Sequence, residues 1–138
     1  MFVFSRLAAC IGLCALLVLL APGCKSAPPK VDIAGKVTKD GAPLKVGQNA
    51  VCQISFYPEV EQGENYTSHP ATFDRASSTF TVKGIPVGKY HVSIELLDPY
   101  PGNDIFKRAF RGRNSPIVRE VTGKESIDID LDKVASNK

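Results

Sequence analysis

This chain has little with which to build a disulfide. It holds four cysteines in 138 residues, and three of them sit near the start. Cys10 and Cys14 lie in the apolar run Leu7 to Leu20, and Cys24 follows Pro22-Gly23. Cys52 is then alone in the remainder, so no intramolecular disulfide staples that part of the chain. Histidine is scarcer still. His69 stands beside Pro70 and His91 on the outward side of a strand pattern, and neither belongs to a metal-ligand or nucleophile motif. Both are read as surface histidines. A hydrolase site assembled from distant residues is the least favoured reading, because it needs one of them beside a nucleophile and a carboxylate. No cofactor and no metal site are expected. Helical apolar spacing is also missing after residue 24.

What is present begins with the leader. Arg6 precedes the apolar run, which ends in Ala21-Pro22-Gly23-Cys24. A basic residue, a short apolar stretch and small residues read as a secretory signal peptide. A membrane-spanning helix needs roughly 20 apolar residues, more than this run supplies. Cysteine directly after the small residues resembles the bacterial lipobox, in which that cysteine is acylated and becomes the mature N-terminus. Ala21 stands where lipoproteins usually carry leucine. The expectation is a lipoprotein signal over 1–23, lipid attachment at Cys24, and membrane lipid as a partner through that residue. Acyl chains contribute about 0.8 kcal/mol per buried CH2, so two or three of them anchor a chain durably. Signal cleavage without lipid is the alternative. Lys25 is not the aspartate that often retains lipoproteins at an inner membrane, which points to the outer membrane of the cell envelope.

Residues 24–138 carry 16 basic and 14 acidic side chains, a near balance that argues against polyanion binding by the protein's surface as a whole, though not by a local basic cluster, and export argues against a nucleic-acid partner. Residues 24–30 form a linker stiffened by Pro28-Pro29. Residues 31–132 then show period-2 patterning, and 133–138 form a tail. Val31, Ile33 and Val37 alternate with Asp32, Lys36 and Thr38 before the turn signal Asp40-Gly41. Cys52, Ile54 and Phe56 share one face, as do Phe80 and Val82. After Gly84 to Gly88, Tyr90, Val92, Ile94 and Leu96 face inward, against His91, Ser93 and Glu95. Ile117 to Val121, Ala71 to Phe73, and Ile127, Ile129 and Leu131 complete about seven strands. Short strands with one apolar face and Gly/Pro turns predict an all-β, antiparallel β-sandwich. The connections 58–70 and 98–116 exceed a hairpin turn, and long loops on a rigid sandwich are natural binding sites.

These residues carry a family resemblance. Gly35-Lys36-Val37 followed by Asp40-Gly41-Ala42-Pro43-Leu44 resembles the opening of bacterial carboxypeptidase-regulatory-like domains. Ile54 to Pro58 resembles their second strand, and Gly84-Ile85-Pro86-Val87-Gly88-Lys89-Tyr90-His91-Val92 their hairpin. Asn114 to Ile117 and Ile127 to Leu131 resemble the tail of a lipoprotein subgroup. The resemblance covers residues 31–131 and implies a prealbumin-like, transthyretin-like sandwich without peptidase activity. One departure is that Asp74 to Ser78 lacks the glycine that family members usually carry in that turn.

Three clusters invite chemistry. Asp128, Asp130 and Asp132 suggest calcium, but on a strand their side chains project about 7 Å apart and cannot wrap one ion, so a solvated strand face is expected. Glu59, Glu61 and Glu64 lack a glycine-anchored ligand pattern and read as a solvated loop. The 98–116 loop is the best candidate site. It holds Tyr100, with Lys107, Arg108, Arg111 and Arg113 interleaved with Phe106 and Phe110. The four cations suit anionic lipid headgroups or acidic polysaccharide, and Tyr100 suits stacking. The plainer expectation is that Phe106 and Phe110 plug the sandwich edge. Cys52 is expected to pack as a small hydrophobe. The function expected from the whole is a noncatalytic, membrane-anchored envelope lipoprotein with a structural or binding sandwich, its partner an envelope polysaccharide or protein. The alternative is a glycan-binding module that uses the 98–116 loop.

Overall fold

The computed structural model describes residues 26–61, 63–123 and 126–135. The leader, Cys24 and residues 136–138 lie outside them. The described chain is almost entirely β. Its strands are β1 (Lys30–Lys39), β2 (Ala42–Pro43), β3 (Val51–Pro58), β4 (His69–Pro70), β5 (Thr72–Asp74), β6 (Thr79–Pro86), β7 (Gly88–Leu97), β8 (Val118–Val121) and β9 (Ile129–Asp130). One sheet runs β2-β1-β6-β5 with β9 also on β1, and the other runs β4-β3-β7-β8. The predicted sandwich is therefore present, with the two-residue strands β2 and β4 added.

Alternation explains why the sheets face each other. Ile33, Gly35 and Val37 of β1 are buried while their neighbours are not. Tyr90, Val92, Ile94 and Leu96 of β7 are buried to within 2% of full. Phe56 of β3 meets Phe80 of β6 at 5.8 Å between ring centroids and Tyr90 at 6.1 Å, so one ring ties the two sheets together. Tyr90 keeps its hydroxyl satisfied by donating to the Pro86 carbonyl at 2.7 Å. Asp40 and Gly41, both at positive φ, close the β1–β2 hairpin as the Asp-Gly pair requires.

Four details depart from the sequence reading or add to it. First, β9 pairs parallel to β1, so the sandwich is not wholly antiparallel. The chain crosses between sheets after β8 and comes back in the direction of β1. Second, Leu131 opens a short helix, α1 (Leu131–Ala135), rather than ending a strand, and α1 takes in the start of the predicted tail. Third, the aspartates there are exposed or half-exposed, as expected, and in addition accept backbone bonds. Asp128 accepts from the Lys36 N–H at 3.0 Å, Asp132 from the Asp40 N–H, and Asp130 from the Asp132 N–H at 3.1 Å. The first two latch the last elements to β1 and its turn, and the third is a bond within the final segment. Fourth, the turn before β6 does without glycine. Ser78 takes the left-handed conformation at φ 54°, and Asp74 accepts from the Ala76 N–H and the Ser77 hydroxyl.

These carboxylates set an acid limit on stability. A hydrogen bond from Ser77 holds Asp74 below its ordinary value, and one from Lys89 does the same for Glu59. For Asp130, burial pushes upward, but backbone bonds from Asp132 and Lys133 and the Lys133 ammonium bring it below its ordinary value. A carboxylate depressed on folding contributes stability above its unfolded pKa and loses it as pH falls through its folded pKa. Urea midpoints are therefore expected to hold steady above about pH 5 and to fall progressively below about pH 4. A midpoint flat down to pH 3 would contradict this.

Candidate functional site

The two ends of the sandwich differ, and the difference places the candidate site. Lys30 pairs with Pro86, and the Val87 N–H donates to the Pro29 carbonyl at 2.9 Å. The linker therefore joins the sandwich at the end where β6 turns into β7. Strand β7 then runs ten residues to Leu97, about 30 Å at 3.3 Å per residue, to the far end. There the hairpin at Asp40, residues 44–50, the turn at Asp74 to Ser78 and the start of the 98–116 loop come together. Arg75 ties two of these by donating to the carbonyls of Gln48 at 3.0 Å and Ala50 at 2.9 Å.

The 98–116 segment is not a free loop. It runs back along the edge of β7, where the Ile105 N–H donates to Leu96, Ile94 to Phe110 and Val92 to Ile117. Asp104 organises its first half. Its carboxylate accepts from the backbone N–H groups of Leu96 at 3.0 Å, Phe106 at 3.1 Å and Arg108 at 2.9 Å. Phe106 and Phe110 meet edge to face at 5.5 Å and pack into the core, as the plainer expectation had it. Further along, Ser115 donates to the Val92 carbonyl at 2.6 Å, and Gly112 donates to Ser93 at 2.9 Å. This cover explains why Ser93, on the outward side of β7, is only 3% exposed.

Between this segment and the outer face of β3 and β7 lies an open groove of about 730 Å³. Gln53 and Glu95, directly paired across the two strands, form its floor with Leu97. Asn103, Lys107, Arg108 and Arg111 stand on its wall. Ile105, 49% exposed, separates it from a smaller apolar hollow of about 330 Å³ beside Leu44 and Pro43.

The structure divides the sequence-predicted residues. Lys107, Arg108 and Arg111 are brought together in the groove. Arg111 lies 3.3 Å from Glu95 through Nε. Arg113 leaves the group, because its guanidinium stacks 4.5 Å over the Tyr66 ring and reaches the Val60 carbonyl. Tyr100 is 56% exposed but does not line the groove. Gln53, Glu95, Asn103 and Asp104 were not singled out in the sequence. The only hint was the outward position of Gln53 and Glu95 on strands whose other faces are apolar.

Neither histidine is paired with both a nucleophile and a carboxylate by a hydrogen bond among the described residues. His91 Nδ1 lies 2.9 Å from the Ser115 carbonyl oxygen, and His69 packs edge to face on Tyr90 at 6.0 Å. Burial, with Lys30 second, holds His69 below its ordinary pKa. Cys52 packs against the core, and burial, helped by the Asp104 carboxylate, pushes its thiol up to about 12. A thiol so protonated is a poor nucleophile at neutral pH. Iodoacetamide at pH 8 should therefore label the Cys52 peptide roughly a hundredfold or more slower in the folded chain than in urea. Equal rates, read by peptide mass mapping, would show an accessible thiolate instead.

No family model and no curated protein sequence matches this chain. Among solved structures it is similar to a DUF3823 family protein of Parabacteroides merdae, at 16% identity and a TM-score of 0.46. The match covers 75% of this chain and 46% of that one, so this chain corresponds to less than half of that protein.

Proposed function

We propose that this chain is an exported, lipid-anchored β-sandwich module of the carboxypeptidase-regulatory-like kind that binds rather than catalyses. The leader ending at Cys24 supports the anchor, with the outer membrane as its seat. The observation that carries the binding role is the separation of the two ends. The linker joins one end of the sandwich, and the groove under the 98–111 segment opens at the other. A module tethered through residues 24–30 holds that groove about 30 Å from the membrane, by the rise of β7. The engaged histidines and the protonated Cys52 thiol support a noncatalytic role.

Intact-mass analysis of the membrane fraction from cells expressing the full chain, beside a Cys24→Ala variant, tests the anchor. Loss of residues 1–23 with added acyl mass, absent in the variant, is the expected result. An unacylated chain in the soluble fraction would remove the tether.

A further inference from the structure

We infer that the far-end groove binds an acidic polysaccharide, with Lys107 and Arg108 as the primary contacts for its carboxylates. This rests on the reading of the chain as a tethered binding module and names the ligand class of that same groove.

The placement of the cations in the groove carries the inference. Lys107 and Arg108 are successive residues at φ 52° and 66°. Left-handed conformations cost a residue with a Cβ about 1–2 kcal/mol each, and glycine or asparagine would relieve most of that cost. A lysine and an arginine stand there instead. Three bonds to Asp104 and a bond from the Lys107 N–H to the Asp104 carbonyl at 2.9 Å hold the turn. Both side chains are exposed, and among the described residues neither has a hydrogen-bond or ion-pair partner. The same conformation closes turns at Asp40 and Ser78; here it sets two unpartnered cations side by side on the wall of the groove, and that placement is what points to an anionic ligand.

The rest of the groove suits a sugar chain. Arg111 uses only Nε on Glu95, which leaves its two terminal nitrogens as a fork for a carboxylate. Gln53 and Asn103 offer amide donors and acceptors for hydroxyls, and Glu95 offers an acceptor. The groove is open, which suits a linear polymer. A lipid headgroup is disfavoured because the linker meets the opposite end of the sandwich. A platform of stacked aromatics is disfavoured because Phe106 and Phe110 are turned into the core.

The test uses the full chain in detergent, titrated calorimetrically with oligogalacturonate, with a neutral glucan oligomer, and with phosphatidylglycerol vesicles. Oligogalacturonate is expected to bind and to weaken as NaCl rises from about 0.05 to 0.5 M. The neutral glucan should not bind. The double variant Lys107→Gln, Arg108→Gln removes two exposed charges that make no hydrogen bond or ion pair among the described residues, so its melting temperature should match the parent, and its affinity should fall about tenfold or more. Removing the same charge at the linker end, by Lys83→Gln with Lys89→Gln, should leave affinity unchanged. Equal loss in both double variants, equal binding of the neutral glucan, binding of the vesicles alone, or no binding would overturn the inference. Acylation is read separately by mass. Binding without acyl mass would refute the tether alone, and acyl mass without binding would refute the ligand alone.

Discussion

Replacing Gly35 by alanine is expected to cost about 3 kcal/mol or more, the upper range for overpacking a core. In a domain of this size that lowers the melting temperature by roughly 15 °C. The cause is distance rather than dihedral preference. A Cβ on residue 35 would lie 2.0 Å from the Ile127 carbonyl oxygen and 2.8 Å from Phe80 Cζ. The first contact is backbone, and it cannot retreat without losing the bond from the Ile127 N–H to the Ala34 carbonyl at 2.8 Å. The change therefore forces the segment leading into β9 away from β1. Gly41→Ala is the natural comparison. It sits at φ 71° with nothing within 4 Å, so it meets strain without a clash and should cost about 1 kcal/mol. Urea denaturation of the three chains decides the matter. A loss below that of Gly41→Ala would mean that the segment at Ile127 yields freely.

The second large effect falls on Asp104. One carboxylate accepts three backbone N–H bonds, and a bond to a charged group is worth about 1.5–3 kcal/mol. The residue is half-exposed, so solvent discounts that sum, and Asp104→Ala is expected to cost about 2–4 kcal/mol in all. The consequence for the groove is greater than for the sandwich. Without these bonds the turn at Lys107 and Arg108 loses what holds it left-handed, so oligogalacturonate affinity should fall as far as in the double glutamine variant. Hydrogen exchange should show the Phe106 and Arg108 amides losing protection while those of β3 and β6 keep theirs. Uniform loss across the sandwich would make Asp104 a general stabiliser. No loss would remove it from the site.

The sandwich was readable because its strands obey simple alternation. Tyr90, Val92, Ile94 and Leu96 have no other use for their shared face than a core. The Gly-x-Val opening also has a physical reason, since Gly35 is where β1 admits the Ile127 backbone. What escaped the sequence depends on contacts between distant segments. Nothing around Leu131 distinguishes a strand continuing from a helix beginning, because either buries that side chain. Asp104 reads as one acidic residue in a turn-rich stretch, and only the approach of the Leu96 N–H gives it a role. Arg113 looked equivalent to Arg108 in the run of cations. Its separation depends on Tyr66, some 47 positions earlier, lying beneath it.

A tethered module with its groove held away from the membrane can be tested by depth. The full chain, incorporated in liposomes that carry spin-labelled lipid, would bear a fluorophore at Lys89→Cys or at Lys107→Cys. Cys52 should stay unlabelled at neutral pH because its thiol is protonated. Strong quenching at residue 89 with little at residue 107 is the predicted result. Quenching at residue 107 equal to or above that at residue 89 would place the groove against the bilayer and contradict the account.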